Sequence, residues 1–293
     1  NSLNLKFFFS FLINKQRDRQ LELIFSKQEI KEKLVEVPHH LSHVFSTMFF
    51  LNKNDNALVY SFDGSGDFST IEAYVVNNKN YKLIEKQYFP NSLGFFYSAF
   101  TQFLGFRNYG DEYKVMSLAA YGNPVYKEKV NKLIKNYDPF KLEMKYFNLP
   151  IIDYSKTFPI INTIYNQQFI KLFTDPRKNS DREINKVYKD IASSFQKVFE
   201  DVVMENLKKL KKVKNSKKVY LTGGCAFNSL LVGNIIKSKM FEEVVLGPNP
   251  GDAGGAVGAA FYTTLKKIKD IPSVQELGYL GNEYSNDFIK SKV

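Results

Sequence analysis

Three chemically distinctive residue types are scarce in this sequence. Its 293 residues contain one cysteine, three histidines and no tryptophan. A single cysteine excludes an internal disulfide framework and any zinc site built from several cysteines. A reducing, cytoplasmic setting is therefore expected.

Long hydrophobic runs are missing as well. The most apolar run, FFFSFLI at residues 7–13, is too short to span a bilayer and is flanked by Lys6 and Lys15. No small-residue cleavage site follows it, which argues against a signal peptide. The run predicts a buried helix, and no membrane partner is expected.

An excess of positive charge is the strongest bias in the composition. Lys and Arg number 41 against 30 Asp and Glu, a formal net charge of +11, which makes nucleic acid one partner to consider. The densest basic run, KKLKKVKNSKK at residues 208–218, lacks the interleaved aromatic residues of an RNA-binding platform. We interpret it as the solvated end of a helix before a strand, and nucleic acid is not the expected partner. The 44% of hydrophobic residues suits a globular enzyme.

All three histidines lie within five residues, HHLSH at positions 39–43. His39 and His43 are four residues apart, so on a helix they share one face and can close on one metal ion. Imidazole is a common ligand of catalytic divalent metals. Histidines that only pack or cap a helix remain the alternative, and the pair alone names no enzyme.

Two glycine-rich turns each follow a predicted strand. The first turn, Asp63-Gly64-Ser65-Gly66-Asp67, joins strands at residues 57–62 and 69–76, and the second, residues 222–228, follows a strand at 218–221. Backbone N–H groups in such turns can bind phosphate oxygens. Neither turn matches the P-loop or the dinucleotide fingerprint, and ordinary tight turns are the alternative. Two facing turns would suit a nucleotide held between two lobes.

Several acidic residues are candidates for the same site. Asp252, which precedes a small-residue helix, could cap that helix or complete a metal site with the two histidines. Asp63 and Asp67 could hold metal or water near phosphate, or simply stabilise the hairpin turn.

Glu112 and Lys114 lie in a stretch of small and apolar residues. A buried pair beside a nucleotide would be a catalytic candidate that orients substrate or stabilises developing charge. An exposed ion pair is the alternative. Cys225 could be a nucleophile, but no histidine lies near it in sequence, and a small packed residue is the preferred interpretation.

The remaining pattern predicts an α/β fold. Helices are expected at residues 3–35, 42–51, 91–106 and 181–212, and further strands at 81–88 and 243–246. Residues 123–180 are less regular and are interpreted as an insertion or lid.

Six blocks together resemble one known family. They are VPHHLSHVFSTMFF (37–50), SFDGSGDFST (61–70), FPNSLGFFYSAFTQFLGF (89–106), GDEYKVMSLAAYG (110–122), LTGGCAFNSLL (221–231) and PNPGDAGGAVGAA (248–260). In this order they resemble the carbamoyltransferases of the nodulation and cephamycin or tobramycin-tailoring type. Their relatives include the tRNA threonylcarbamoyl-transferring subunit and the hydrogenase-maturation carbamoyltransferase.

The resemblance implies the actin-like, sugar-kinase-like ATPase fold, with a nucleotide cleft between two lobes. Residues 1–122 would form the first lobe and residues 181–293 the second. The family's opening Asp-x-Ser phosphate loop is not found in residues 1–36, and its C-terminal, adenylate-forming domain is expected to be absent. Ser117 and Cys225 depart from the usual glycine and aliphatic residue.

The resemblance also implies residue roles. The metal ligands would be His39, His43 and Asp252, and the metal would be iron, with Mg, Mn or Zn as alternatives. The predicted nucleotide-binding residues are Asp63, Gly64, Ser65 and Gly66 at the phosphates, Gly223, Gly224 and Asn228 at the adenosine, and Gly251 and Gly254 in the last block.

The implied chemistry is carbamoyl transfer. A carbamoyl-adenylate, formed from carbamoyl phosphate and ATP, would be attacked by a hydroxyl of a small molecule or saccharide. A tRNA-modifying subunit and an inactive nucleotide-binding fragment are the alternatives. A homodimer is compatible with the sequence.

Overall fold

The computed structural model describes residues 26, 28, 32–49, 56–77, 80–108, 110–153, 160–178, 180–181, 183–267 and 282–292. The apolar run at residues 7–13 and most of the helix predicted at 3–35 lie outside these residues. The helices are α1 (His39–Met48), α2 (Leu93–Phe103), α3 (Glu112–Ala119), α4 (Lys127–Asn131), α5 (Gln167–Ile170), α6 (Lys186–Lys214), α7 (Ser229–Lys237), α8 (Asp252–Lys267) and α9 (Asn286–Lys290). The strands are β1 (Asn56–Gly66), β2 (Ser69–Asn77), β3 (Asn80–Tyr88), β4 (Ile134–Tyr137), β5 (Phe140–Leu142), β6 (Ile152–Asp153), β7 (Ile160–Ile161), β8 (Lys218–Thr222) and β9 (Glu243–Leu246).

A five-stranded mixed sheet organises the described part of the chain, and the α/β prediction is confirmed. Its strand order is β3-β2-β1-β8-β9. The first three strands form an antiparallel meander, whereas β1 pairs with β8 and β8 with β9 in parallel. The sheet thus joins strands from residues 1–122 and 181–293, the two segments predicted to form separate lobes.

The central strand β1 is buried on both faces, which explains its unbroken apolar sequence ALVY. Leu58 and Tyr60 point into the main core with α2 and α6. Ala57 and Val59 point to the opposite face, where they pack in a smaller core with Val44 of α1. The helices therefore cover both faces of the sheet.

Residues 123–180 also contribute to the main core. Leu133, Phe140 and Phe169 are buried there against the helices. The segment that we interpreted as an insertion or lid is thus packed against the same core as the sheet.

The basic run at 208–218 covers the last turns of α6 and the start of β8, as the sequence indicated. Asn215 ends the helix in the left-handed conformation, and its N–H donates to the carbonyl of Lys211. Part of the run is paired, since Lys209 Nζ lies 3.1 Å from Glu85 Oε2 and 2.9 Å from Asp138 Oδ1.

Candidate metal centre and nucleotide site

Helix α1 begins at the histidines themselves, three residues before the predicted start at residue 42. Its residue before the first turn is Pro38, which offers no side-chain cap. Asp67 supplies one instead, because its Oδ2 accepts a hydrogen bond of 2.7 Å from the backbone N–H of His39. The turn of the β1–β2 hairpin is thereby fixed to the first residue of α1.

Four side chains converge at this point: His39, His43, Asp63 and Asp252. The two Nε2 atoms of the histidines lie 3.1 Å apart. Oδ2 of Asp63 lies 3.4 Å from Nε2 of His39 and 3.0 Å from Nε2 of His43. Oδ1 of Asp252 lies 3.6 Å and 3.4 Å from the same two atoms. The structure therefore brings the three predicted ligands together and adds Asp63 to them.

The donor set fits one divalent metal ion. All four ligand atoms lie within 4.8 Å of one another, and neighbouring ligands of a tetrahedral ion with bonds of ~2.1 Å are ~3.4 Å apart. Two imidazole nitrogens with two carboxylates suit a transition metal better than Mg²⁺, which prefers oxygen ligands. These four residues could therefore hold such an ion with no change of fold.

The carboxylates also determine the charge of His43. Burial alone would lower its pKa, but hydrogen bonds and charges from Asp252 and Asp63 outweigh burial and raise the pKa to about 9. The pKa of Asp63 is lowered: burial raises it, but the hydrogen bonds from His39 and His43 more than compensate. Without a metal, the cluster therefore holds a proton on His43 at neutral pH.

The hairpin tip is held in place by α2. Ser92, which caps α2 by accepting from the N–H of Phe95, donates towards the carbonyl oxygens of Asp63 (3.1 Å) and Gly64 (2.5 Å). Oδ1 of Asp63 accepts from the N–H of Gly64 at 2.6 Å, which leaves Oδ2 for the histidines.

The rest of the hairpin turn is open on one side. Ser65 is exposed, and a Cβ at Gly64 would meet no atom within 4 Å. A Cβ at Gly66 would lie 2.0 Å from the ring of His39, so glycine is needed there for the histidine to reach the cluster. The turn thus leaves room beside the cluster, while its predicted contact with phosphate stays a prediction.

The second glycine turn lies directly against the first. Gly223 adopts φ +90°, and a Cβ there would lie 2.3 Å from the carbonyl oxygen of Phe62. A Cβ at Gly224 would lie 2.8 Å from Oδ1 of Asp63. Both positions require glycine because the turn approaches the β1 backbone so closely. The structure therefore places the two turns together at the carboxyl ends of β1 and β8.

Asn228 is fully occupied by bonds within the protein. Its Oδ1 accepts from the N–H of Leu231 (3.0 Å) and from Nε2 of Gln196 (2.8 Å). Its Nδ2 donates to Oε1 of Gln196 (3.0 Å) and to the hydroxyl of Tyr97 (3.3 Å). The amide caps α7 and joins it to α6 and α2, and a direct contact with adenosine stays a prediction.

Helices α1 and α8 cross at small residues. A Cβ at Gly258 would lie 1.7 Å from the carbonyl oxygen of Ser42, and one at Gly255 would lie 3.1 Å from Ser42 Oγ. This close approach brings Asp252, at the start of α8, to the histidines of α1. Asp252 remains 66% exposed at the side chain.

The loop before α8 is tied to the same site. The hydroxyl of Thr222 lies 3.2 Å from the carbonyl oxygens of both His43 and Pro250. A Cβ at Gly251 would lie 2.6 Å from the ring of Phe227, and one at Gly254 would lie 2.0 Å from the carbonyl oxygen of Asn249. The predicted nucleotide-binding residues Gly251 and Gly254 therefore lie in a compact loop next to the second turn.

Glu112 and Lys114 do not pair with each other. Lys114 Nζ lies 2.6 Å from Asp111 Oδ1, and this contact raises its pKa. Oε1 of Glu112 accepts from Ser98 Oγ at 2.8 Å. Glu112 is bonded to Ser98 and Lys114 to Asp111, so the ion pair considered from the sequence is replaced by two separate contacts.

Cys225 packs against the main core, as the sequence indicated. Burial raises the pKa of its thiol, and the charges of Asp63 and Glu112 raise it further. The thiol is thus protonated at neutral pH and unsuited to nucleophilic attack.

The sequence interpretation missed the role of three residues that fix the turns: Ser92, Thr222 and Gln196. Ser92 carried a recognisable signal, because Ser before the apolar run of α2 is a typical N-cap. Thr222 and Gln196 carried none, since their partners are more than 20 residues away.

Among the described residues, no helix has the length and apolar character needed to cross a membrane.

Comparison with known proteins identifies the family. Residues 4–261 match the family described as Carbamoyltransferase N-terminus. The chain is 33% identical over 261 residues to an uncharacterized protein of Synechocystis sp., covering 86% of this chain and 41% of that protein. It is 28% identical over 253 residues to the nodulation protein NolNO of Sinorhizobium fredii, covering 86% of this chain and 34% of that protein.

A solved structure, full-length HypF in the phosphate- and nucleotide-bound form, is similar at 17% identity with a TM-score of 0.42, over 83% of this chain and 38% of that one. The chain spans less than half the length of all three proteins. The family match covers most of the sequence, and the chain therefore belongs to the Carbamoyltransferase N-terminus family.

Proposed function

We propose that this chain carries the metal- and nucleotide-binding site of an O-carbamoyltransferase. The donor would be carbamoyl-adenylate, made from carbamoyl phosphate and ATP, and the acceptor a hydroxyl of a small molecule or saccharide. The observation that carries the proposal is the cluster of His39, His43, Asp63 and Asp252 at the junction of the two glycine turns.

The proposed transfer is a displacement at the carbamoyl carbon. The acceptor oxygen bonds to that carbon, the bond from carbon to the adenylate phosphate oxygen breaks, and AMP leaves with the electron pair. A bound divalent ion, iron in our prediction, would supply positive charge next to the phosphate. Backbone N–H groups of Gly66 and Gly224 would donate to phosphate oxygens.

The proton of the acceptor hydroxyl also needs a destination. Glu112 is the best placed candidate, because it is partly buried, oriented by Ser98 and close enough to raise the pKa of the Cys225 thiol. Lys114 is held by Asp111 and would serve by contributing positive charge at the same helix start.

Replacing both histidines tests the proposal. In His39→Ala/His43→Ala, we expect the rate of AMP release from carbamoyl-adenylate with a hydroxyl acceptor to fall at least about a hundredfold, since metal charge stabilisation amounts to several kcal/mol. Lys197→Ala, which removes an exposed pair with Asp201, is the control and should keep the parent rate. Equal rates in the double variant and the parent would contradict the metal role.

Two alternatives are separated by binding measurements. A gel shift with tRNA at moderate salt should show no complex if the acceptor is a small molecule, because the sequence lacks an RNA-binding platform. ATP binding by calorimetry without transfer to any acceptor would instead favour an inactive nucleotide-binding fragment.

A further inference from the structure

His40, the middle histidine of the sequence cluster, lies behind the metal ligands. It is 1% exposed, and its Nδ1 is 2.7 Å from Oγ of Ser61. Its Nε2 has no side-chain hydrogen-bond partner among the described residues. The ring therefore makes one polar side-chain contact, and that contact joins α1 to the central strand β1.

The position of Ser61 gives this contact its significance. Ser61 lies two residues before Asp63, and side chains two apart on a strand point to the same face, roughly 6.6–6.8 Å apart. On α1, His40 lies one turn before His43. The bond of His40 to Ser61 therefore sets the register at which His43 meets Asp63, whose atoms lie 3.0 Å apart.

We propose that His40 is a positioning residue for the metal centre. Its bond to Ser61 holds α1 on β1, so that His39 and His43 reach Asp63 at ligand spacing. In the described part of the chain, α1 and β1 are joined by three side-chain contacts. Two are the contacts of His39 and His43 with Asp63, and the third is the His40–Ser61 bond. Four donors that must converge on one ion tolerate little sliding of the helix. This inference rests on the metal centre of the proposed function.

Three other contacts hold α1. The N–H of His39 donates to Asp67 in the hairpin turn, Thr222 of β8 donates to the carbonyl of His43, and Gly258 of α8 packs closely on Ser42. None of them joins a side chain of α1 to the strand β1, which carries Asp63. Removal of the His40–Ser61 bond should therefore leave α1 in place on the sheet but loosen it relative to Asp63.

The test measures the Kd of Mn²⁺ by calorimetry on the 293-residue chain. His40→Leu removes the polar contact and should raise Kd about tenfold, as loss of a group that orients metal ligands typically does. His40→Asn can place its amide nitrogen where Nδ1 lies and should recover most of that affinity. Ser61→Ala should weaken binding as His40→Leu does, and the double variant should be little weaker than either.

Ser46→Ala is the matched control. Ser46 is buried on the same helix, and its hydroxyl donates within α1 to the carbonyl of His43 at 2.7 Å, without reaching β1. We expect its Kd to equal that of the parent. An unchanged Kd in His40→Leu overturns the proposal, and so does a loss in Ser46→Ala as large as the loss in His40→Leu.

Failure of the metal centre gives a different result. If the parent chain itself binds no Mn²⁺, the proposed function loses its metal centre. The role of His40 is then decided by urea unfolding of the metal-free chain. Non-additive effects of His40→Leu and Ser61→Ala support the positioning contact, and additive effects overturn it.

Discussion

At the scale of single residues, the site is a cluster of two imidazoles and two carboxylates whose ligand atoms lie within 4.8 Å of one another. His43 is fully buried between two carboxylates, and its pKa of about 9 is the direct result. His40, one turn away, has its pKa lowered to about 4 by burial, because no carboxylate bonds to its ring. At neutral pH, His40 is therefore neutral and His43 is protonated, although the two lie on the same helix.

The pH dependence of stability follows from His43. Its folded pKa lies above the unfolded value of about 6.5, so its stabilisation is complete below pH 6.5 and is lost as the pH rises through about 9. We expect the unfolding free energy of the metal-free chain to fall by on the order of 3 kcal/mol between pH 6.5 and 9. Urea unfolding at several pH values measures this, and His43→Gln should flatten the curve over that range. A flat curve in the parent would contradict the proton on His43.

Metal binding should show the opposite trend with pH. The ion must displace the proton on His43, so binding releases a proton and the affinity rises as the pH approaches about 9. We expect the Kd of Mn²⁺ to decrease nearly tenfold for each pH step of one between pH 7 and 8.5. Calorimetry in two buffers of different ionisation enthalpy also counts the released proton. A pH-independent Kd with no proton release would contradict the assignment.

At the scale of elements, glycines let neighbouring backbones approach closely, and this close packing positions the ligand-bearing segments. The turn at Gly223 lies on the β1 backbone, and α8 lies on α1 at Gly255 and Gly258. Each approach brings one ligand-bearing segment next to another. The geometry of the cluster is therefore sensitive to a single methyl group added at any of these glycines.

Substitution of Gly258 tests this sensitivity. A Cβ there would meet backbone atoms of Ser42 and Ser46, which cannot move aside without shifting α1. We expect Gly258→Ala to lower the unfolding free energy by about 1–3 kcal/mol and to weaken Mn²⁺ binding. The control is Gly233→Ala on α7, where a Cβ meets nothing within 4 Å, and a gain of up to about 1 kcal/mol is expected. Equal stabilities of the two variants would contradict the tight crossing.

The sequence predicted those features of the site that depend only on residues close together along the chain. The spacing of His39 and His43, the strand–turn–strand pattern at β1 and β2, and the glycines of the second turn all depend on neighbours in sequence. Asp63 was considered for several roles, because its position beside the histidines depends on Ser92 and on the second turn. The sequence interpretation paired Lys114 with Glu112, whereas in the structure its partner is Asp111, three residues before it.

At the scale of the whole molecule, the sheet is assembled from distant parts of the chain. The pairing of β1 with β8 joins residues about 160 positions apart and follows from no local pattern. The division into an early and a late lobe came from the family resemblance, and the observed sheet contains strands from both segments.

Cutting the chain tests this assembly. Residues 1–122 carry β1, β2 and β3, and residues 123–293 carry β8 and β9, so each fragment would expose one newly unpaired edge and its part of the main core. We expect neither fragment alone to show a cooperative thermal transition by circular dichroism, and the two to do so when co-expressed. Cooperative unfolding of either fragment on its own would contradict this expectation and support the predicted division into separate lobes.

The exposure of Asp252 bears on how quickly an ion enters and leaves. His43 is inaccessible and Asp63 is largely covered, but the Asp252 side chain is 66% exposed at the first residue of α8. The route between solvent and the centre therefore passes this carboxylate. Affinity would be set mainly by the three groups inside, and exchange rate by the one outside. Replacing Asp252 should thus change the rates of ion capture and ion release by similar factors, with a much smaller effect on the Kd.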